Sequence, residues 1–226
     1  MIKAVIFDLD NTLYAYDPCH LAGIEALYVR LLEYVSVSHE QFLAYLDKAK
    51  MWVKNNNAGT AASHNRILYC QNICESLNLN PVEMPVILYN AYWSKFLDKM
   101  KLFENALDVL LELKKKGIKI GICTDLTAFI QLKKIRRLGL SSIVDAVVTS
   151  EECGAEKPSR KMFDVILKKL EVSPQETVVV GDSLEKDVLG AKNAGVNAIL
   201  YGSCAEYEKC ALNFNKLREL LYAIAE

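Results

Sequence analysis

The stretch Lys3-Ala4-Val5-Ile6-Phe7-Asp8-Leu9-Asp10-Asn11-Thr12-Leu13 decides how the chain is read. An unbroken apolar run, Ala4 to Phe7, leads straight into two carboxylates two residues apart. Such a run suits a strand buried on both faces, as in a parallel sheet. Asp8 and Asp10 then stand where the strand leaves the sheet, at its carboxyl end. In open α/β sheets ligands bind at that edge. Two acids so close repel each other and hold protons more tightly unless a cation joins them. Asn11-Thr12 by itself is ordinary turn chemistry, so the rest of the chain has to supply the partners.

Downstream of Leu13 the pattern turns helical for more than eighty residues. Tyr14 to Asp17 with Pro18 reads as a linker. Leu21, Ile24, Leu27, Tyr28, Leu31, Leu32 and Val35 follow helical spacing. Ser38-His39-Glu40-Gln41 is a capping box opening a second helix. The run Asn55 to Thr60 ends that helix, and a third is expected from about Ser63 to Leu77. Asn80-Pro81-Val82-Glu83 reads as the start of a fourth. No strand pattern interrupts residues 17–100.

From Phe103 strands and helices alternate. Strands are expected at Lys119–Cys123, Ala146–Thr149, Thr177–Val180 and, last, Asn197–Tyr201. Helices are expected at Asn105–Lys116, Phe129–Leu138, Arg160–Leu170, Glu185–Asn193 and Phe214–Ile224. Gly117 and Gly139 sit where a helix C-terminus needs a left-handed residue. Alternation of this kind means a parallel sheet with right-handed crossovers. The fold class is therefore α/β: a Rossmann-like parallel sheet core in three layers, formed by residues 1–15 and 101–226. An all-α helical cap, residues 16–100, is inserted into it.

Composition excludes several classes. At 226 residues and 52% hydrophobic content the chain has enough length for a substantial core. Net charge is -1, and Lys114-Lys115-Lys116 is the longest basic block, which argues against a nucleic-acid partner. That run suits a helix C-terminus instead. No apolar segment is long enough to span a bilayer. The seven cysteines are irregularly spaced, and no signal-peptide pattern opens the chain. Reduced thiols and a cytoplasmic location are expected. A monomer or weak homodimer is expected as well.

The polar strand ends now form one constellation. Asp8 and Asp10, Thr124, and Asp182 with Asp187 all follow strands that share a direction, and Lys157 enters a helix at the same edge. A hydroxyl, a lysine and several acids around one crevice suit a phosphate group with magnesium. That cation takes hard oxygen ligands, commonly one or two carboxylates with phosphate oxygens and waters. Asp8-Leu9-Asp10-Asn11-Thr12, Thr124, Lys157-Pro158 and Gly181-Asp182-Ser183-Leu184-Glu185-Lys186-Asp187 together resemble the four ordered motifs of the haloacid dehalogenase-like phosphohydrolase superfamily. The helical insert falls where that superfamily carries a helical cap, so the resemblance spans the chain.

The resemblance implies a magnesium-dependent phosphomonoester hydrolase acting on a small phosphorylated metabolite through a phosphoaspartate intermediate. Asp8 is implied as nucleophile. Asp10 is implied as general acid and then base, which calls for an environment favouring its proton. The carboxylates of Asp8 and Asp182 and the backbone carbonyl of Asp10 are implied as Mg2+ ligands. Thr124 and Lys157 would hold phosphoryl oxygens, and Asp187 would orient the lysine or a metal-bound water. Asp125 stands where many relatives have Asn. It is expected either against substrate or as the cap of the following helix.

Three other activities share some of these parts. A phosphosugar mutase would use the same core machinery. A carbon–halogen hydrolase would use Asp8 but has no need of Asp10 or a metal. A non-catalytic binding module would not need every motif position to be chemically competent, as they are here. In the cap, Trp52, Lys54, the run Asn55 to Asn57, His64, Tyr89 and Trp93 are candidate contacts, although aromatics at helical spacing commonly belong to a core. Arg66 is expected to meet a second anionic group of the substrate. His20, His39 and His64 are expected at the surface.

Overall fold

The computed structural model describes residues 1–205 and 207–225. Contacts divide the chain into two compact units: Met1–Ala15 with Lys101–Glu226, and Tyr16–Met100.

The first unit is built on six parallel strands: β1 (Ala4–Phe7), β2 (Lys119–Thr124), β3 (Ala146–Thr149), β4 (Thr177–Gly181), β5 (Asn197–Tyr201) and β6 (Cys210–Ala211). Their order is β3-β2-β1-β4-β5-β6. The chain builds outward from β1 on one side, then returns to build the other side from β4. The reversal leaves a crevice between β1 and β4 at their carboxyl ends, the place where such sheets bind ligands. Every residue of β1 is buried, as its apolar run requires. Phe7 is in register with Ile122 of β2 and Val180 of β4. Asp8 therefore emerges level with the ends of both neighbours, and its N–H still donates to the Val180 carbonyl at 2.9 Å.

The second unit holds four helices: α1 (Tyr16–Leu31), α2 (His39–Asn56), α3 (Arg66–Ser76) and α4 (Glu83–Lys99). The capping box at Ser38 is present, with Gln41 as its reciprocal partner. Tyr92, Trp93 and Phe96 of α4 are buried and pack edge-on to one another or tilted. Three readings are corrected in this unit. The expected linker through Pro18 is instead the first turn of α1, where a proline loses no helical hydrogen bond. The expected helix from Ser63 begins as a 3-10 turn, Ala61–His64, and restarts after Asn65. Asn65 is extended, and its side chain accepts from the Ile67 N–H at 3.2 Å, so it caps a new helix. His20 is half-buried, with Nδ1 2.6 Å from the Tyr92 hydroxyl, and His64 is half-buried too; only His39 is exposed.

Among the described residues six further helices belong to the sheet unit: α5 (Ala106–Lys115), α6 (Ala128–Arg137), α7 (Ser150–Cys153), α8 (Arg160–Leu170), α9 (Gly190–Asn193) and α10 (Phe214–Ala225). α8 covers one side of the sheet, where Phe163, Ile166 and Leu170 share a core with Ala4, Ile6 and Val179. Gly117 and Gly139 take φ of +75° at the ends of α5 and α6, the conformation their positions demanded. The short α7 and the two-residue β6 went unread because neither is long enough to show a period. β6 also explains a correction among the cysteines. Cys210 lies opposite Leu200 of β5, which returns it to within 5.2 Å, Cα to Cα, of Cys204, and the two form a disulfide. The other five thiols are free and buried. Among the described residues no helix is long and apolar enough to cross a membrane.

Candidate active site

Four strand ends and loops of the sheet unit deliver the site. The turn after β1 carries Asp8, Asp10 and Thr12. Asn11 sits at its corner with φ +62°, which asparagine tolerates better than most residues. The Thr12 hydroxyl donates to Asp8 Oδ2 at 3.1 Å. Lys157 reaches the same carboxylate from the loop before α8: its Nζ lies 2.6 Å from Asp8 Oδ1 and 2.6 Å from Asp187 Oδ1. Lys157 is 5% exposed, Asp8 7% and Asp187 2%, so this ion triad is nearly dry.

Asp187 reaches inward because of how the chain leaves β4. Residues Leu184–Leu189 form a π-helical turn rather than the expected start of an α-helix. Ser183 holds it: its carbonyl accepts from the Asp187 and Val188 N–H groups, and its N–H donates to Asp187 Oδ2 at 3.0 Å. Such wide turns gather at functional sites. Gly181 makes the approach possible. A Cβ there would stand 2.2 Å from Asp187 Cγ, a collision with any side chain larger than hydrogen.

Oxygens of Asp8, Asp182 and Asp187 lie within 4.8 Å of one another. Burial pushes the Asp8 carboxyl up to about 8; Lys157 opposes that, while Asp187, Asp182 and Asp10 add to it. The exposed Asp182 is likewise raised, to about 6, by desolvation and then by Asp187. For Lys157, burial favours the neutral amine, but Asp187 and Asp8 outweigh it and keep the ammonium. One lysine therefore serves a group of acids with negative charge left over. An all-oxygen set in want of a cation fits magnesium.

Thr124 closes β2 beside this group and is 1% exposed. Its hydroxyl accepts from Gln131 Nε2 at 2.5 Å. Asp125 does not cap α6. Its Oδ1 accepts from the Lys157 backbone N–H at 2.9 Å, and its Oδ2 pairs with Lys186 Nζ at 2.8 Å. It ties three motif loops together instead of capping α6. The backbone then turns through Leu126 at φ +99°, whose N–H donates to Ser150 Oγ at 2.8 Å. A leucine there is strained, and strain of this kind collects at functional sites.

Asp10 meets partners that motif reading missed. Lys134 Nζ lies 2.8 Å from both of its carboxylate oxygens, and the Tyr14 hydroxyl donates to Oδ1. One of them is a fully buried cation, which the spacing of the motif does not announce. The signal was present in the sequence. Ile130, Gln131, Lys134, Ile135 and Leu138 fall on one face of α6, and all five are buried. Two polar residues inside an apolar stripe are the informative exception, because buried polar groups need partners. Arg66, the remaining candidate, lies in the helical unit, buried among Tyr69, Tyr92 and Trp93.

Residues 2–195 match the family described as haloacid dehalogenase-like hydrolase. The chain is 43% identical to the ribulose-1,5-bisphosphate 5-phosphatase of Halopiger xanaduensis, across 91% of this chain and 87% of that protein. It is 32% identical to the glyceraldehyde 3-phosphate phosphatase of Methanothermobacter thermautotrophicus, across 90% and 87% respectively. Among solved structures, the 2-haloacid dehalogenase of Pseudomonas syringae pv. Tomato DC3000 shares the fold, with a TM-score of 0.79 at 24% identity over 99% of each chain. By its ordered motifs, its sheet and these matches, the chain belongs to the haloacid dehalogenase-like hydrolase family.

Proposed function

We propose that the chain is a phosphomonoester hydrolase that acts on a small phosphorylated metabolite with Asp8 as nucleophile. The observation that carries this reading is the buried Asp8–Lys157–Asp187 triad at the carboxyl edge of the sheet, with Asp182 alongside. A carboxylate oxygen of Asp8 attacks phosphorus and the bond to the leaving alcohol breaks, giving an aspartyl phosphate. Asp10 gives its proton to the departing alkoxide. A water then attacks phosphorus, Asp10 takes the proton back, and the Asp8 carboxylate is released with inorganic phosphate. Once a cation beside it displaces the proton that burial favours, the Asp8 carboxylate needs no activating base, which suits this role. Lys157 and the Thr124 hydroxyl hold the phosphoryl oxygens, and Asp187 keeps Lys157 charged and in place. Asp10 reaches the leaving group by giving up contacts with Lys134 or Tyr14.

Asp8, Asp182 and the backbone carbonyl of Asp10 would hold Mg2+, which offsets the repulsion between Asp8 and a phosphate dianion. The relatives named above are a ribulose-1,5-bisphosphate 5-phosphatase and a glyceraldehyde 3-phosphate phosphatase, which act on small phosphorylated metabolites. Both support a substrate of that class for this chain. Hydrolysis of p-nitrophenyl phosphate by the purified protein tests the reading: activity should need Mg2+, vanish in EDTA and return on adding the metal. Full activity after metal stripping, or none with any divalent cation, would overturn it.

A further inference from the structure

A non-bridging oxygen of a phosphate dianion can only accept hydrogen bonds, so Thr124 can hold one only by presenting its hydroxyl proton. That proton rotates to suit its neighbours. Gln131, on the buried face of α6, is the neighbour that decides where it goes, and its side chain is fully buried. Its Nε2 lies 2.5 Å from Thr124 Oγ1 and 2.7 Å from the Asp125 carbonyl oxygen. A carbonyl only accepts, so the group facing it is the amide NH2, and the amide has one workable orientation. One amide proton goes to the Asp125 carbonyl and the other to the Thr124 oxygen. Thr124 therefore accepts on that side and cannot donate there. The same Asp125 carbonyl is the hydroxyl's other contact, at 3.4 Å, a poor length for an O–H donor. Gln131 already holds that carbonyl at the shorter distance. Among the described residues the Thr124 side chain has no further hydrogen-bond partner. Its proton is left for an acceptor that the chain itself does not supply.

The other end of the amide argues against a packing role. Gln131 Oε1 is buried without a hydrogen-bond partner, and an orphan acceptor of that kind is costly. Ile130, Ile135 and Leu138 fill the same helix face with apolar side chains, which carry no such cost. Glutamine differs from them in its two donors, and both point at the motif that carries Thr124. We propose that Gln131 is a positioning residue whose amide turns the Thr124 hydroxyl proton toward a phosphoryl oxygen of the substrate. The identity of that ligand rests on the phosphatase reading above. Without the amide, the hydroxyl proton turns onto the vacated Asp125 carbonyl, and the phosphoryl oxygen loses a donor. The loss falls on the transferred group, so it is the same whatever the leaving alcohol.

The test is a double-mutant cycle in the full chain: wild type, Gln131→Met, Thr124→Val and the two combined, each checked by thermal melt. With Mg2+ present, kcat/KM for p-nitrophenyl phosphate should fall about tenfold in Gln131→Met. In the Thr124→Val background no hydroxyl remains to be turned, and adding Gln131→Met should cost less than about twofold more. A role in packing alone would give the same loss in both backgrounds, and that result would overturn the proposal. Wild-type kcat/KM in Gln131→Met would overturn it too. Gln131→Leu is a second apolar replacement should Gln131→Met fail to fold; failure of both would show a structural role and end the proposal. Inorganic phosphate titrated by NMR in the presence of Mg2+ runs the same cycle without turnover, and the affinities should follow the same pattern. A wild type that hydrolyses nothing, yet binds phosphate with that pattern, would defeat the phosphatase reading and leave the role of Gln131 standing. Additive losses of phosphate affinity in an active enzyme would defeat the role of Gln131 alone. A wild type that neither hydrolyses a phosphomonoester nor binds phosphate overturns both.

Discussion

The two units differ in the sign of the charge left unbalanced. At the sheet edge, Asp8, Asp182 and Asp187 gather around Lys157, with Asp10 taken by Lys134. In the helical unit, Arg66, Lys50 and Lys54 line one cavity without an acid among them. Neither arrangement is favourable by itself, because charges of one sign in a confined space raise each other's energy. The first calls for a cation. In the second, Arg66 lies among the rings of Tyr69, Tyr92 and Trp93, which stabilise a cation without neutralising it. At the sheet edge unbalanced charge therefore reads as a description of a missing ligand, provided the protein's own partners are counted first.

Breaking the acidic side should have the largest effect. Asp8→Asn cannot form the acyl phosphate, and steady-state turnover of p-nitrophenyl phosphate should fall about 10⁴-fold or more with circular dichroism unchanged. Turnover near wild type would remove Asp8 from the nucleophile role. Asp10→Asn should cost about 10²–10⁴-fold in single-turnover cleavage of a sugar phosphate, and less for p-nitrophenyl phosphate, whose leaving group needs little protonation. Equal losses for the two would leave Asp10 a turn residue held by Lys134. Lys134→Met removes a buried cation from a partly solvated acid. It should lower stability by about 1–3 kcal/mol in a denaturant melt, and an unchanged midpoint would mean the pair contributes nothing.

The mildest effect is pH dependence, and it sharpens the charge comparison. An unfolded aspartate ionises near 3.8, whereas Asp8 and Asp182 are held up at about 8 and about 6 by burial and by Asp187, with Asp182 adding to the shift of Asp8, against Lys157. Between those limits the folded, metal-free protein binds more protons than the unfolded chain, so its stability falls as pH rises from about 4 toward 8. Mg2+ competes with the same protons. Its stabilisation of the thermal midpoint should therefore grow over that window and level off above about pH 8. A magnesium increment that is flat with pH would show that no proton is displaced.

The core of the fold was legible because its signals are local. The run Ala4–Phe7, the glycines after α5 and α6 and the Ser38 capping box each act within a turn or a strand. Asp8, Thr124 and Asp182 were legible for the same reason: each ends or follows a strand, and parallel strands end on one edge. What escaped depends on distance in sequence. Lys134 meets Asp10 across 124 residues, and Gln131 and Lys134 were visible only as polar residues in an apolar stripe. Asp125 looked like a helix cap by position, yet its oxygens go to Lys157 and Lys186, which no local pattern announces. The π-helical turn at Leu184–Leu189 depends on Asp187 folding back onto the Ser183 N–H, a tertiary demand that overrides helix propensity. The cysteines were misread because β6 is too short to leave a pattern.

The central claim is that Asp8 carries the phosphoryl group. Wild-type protein mixed with Mg2+ and a phosphorylated substrate, quenched in acid within the first turnover and digested, should yield a phosphorylated peptide containing Asp8 by mass spectrometry. The adduct should be absent from Asp8→Asn treated in parallel. A phosphoryl group found on any other residue, or a full turnover of product in the quenched sample with Asp8→Asn equally active, would contradict the account.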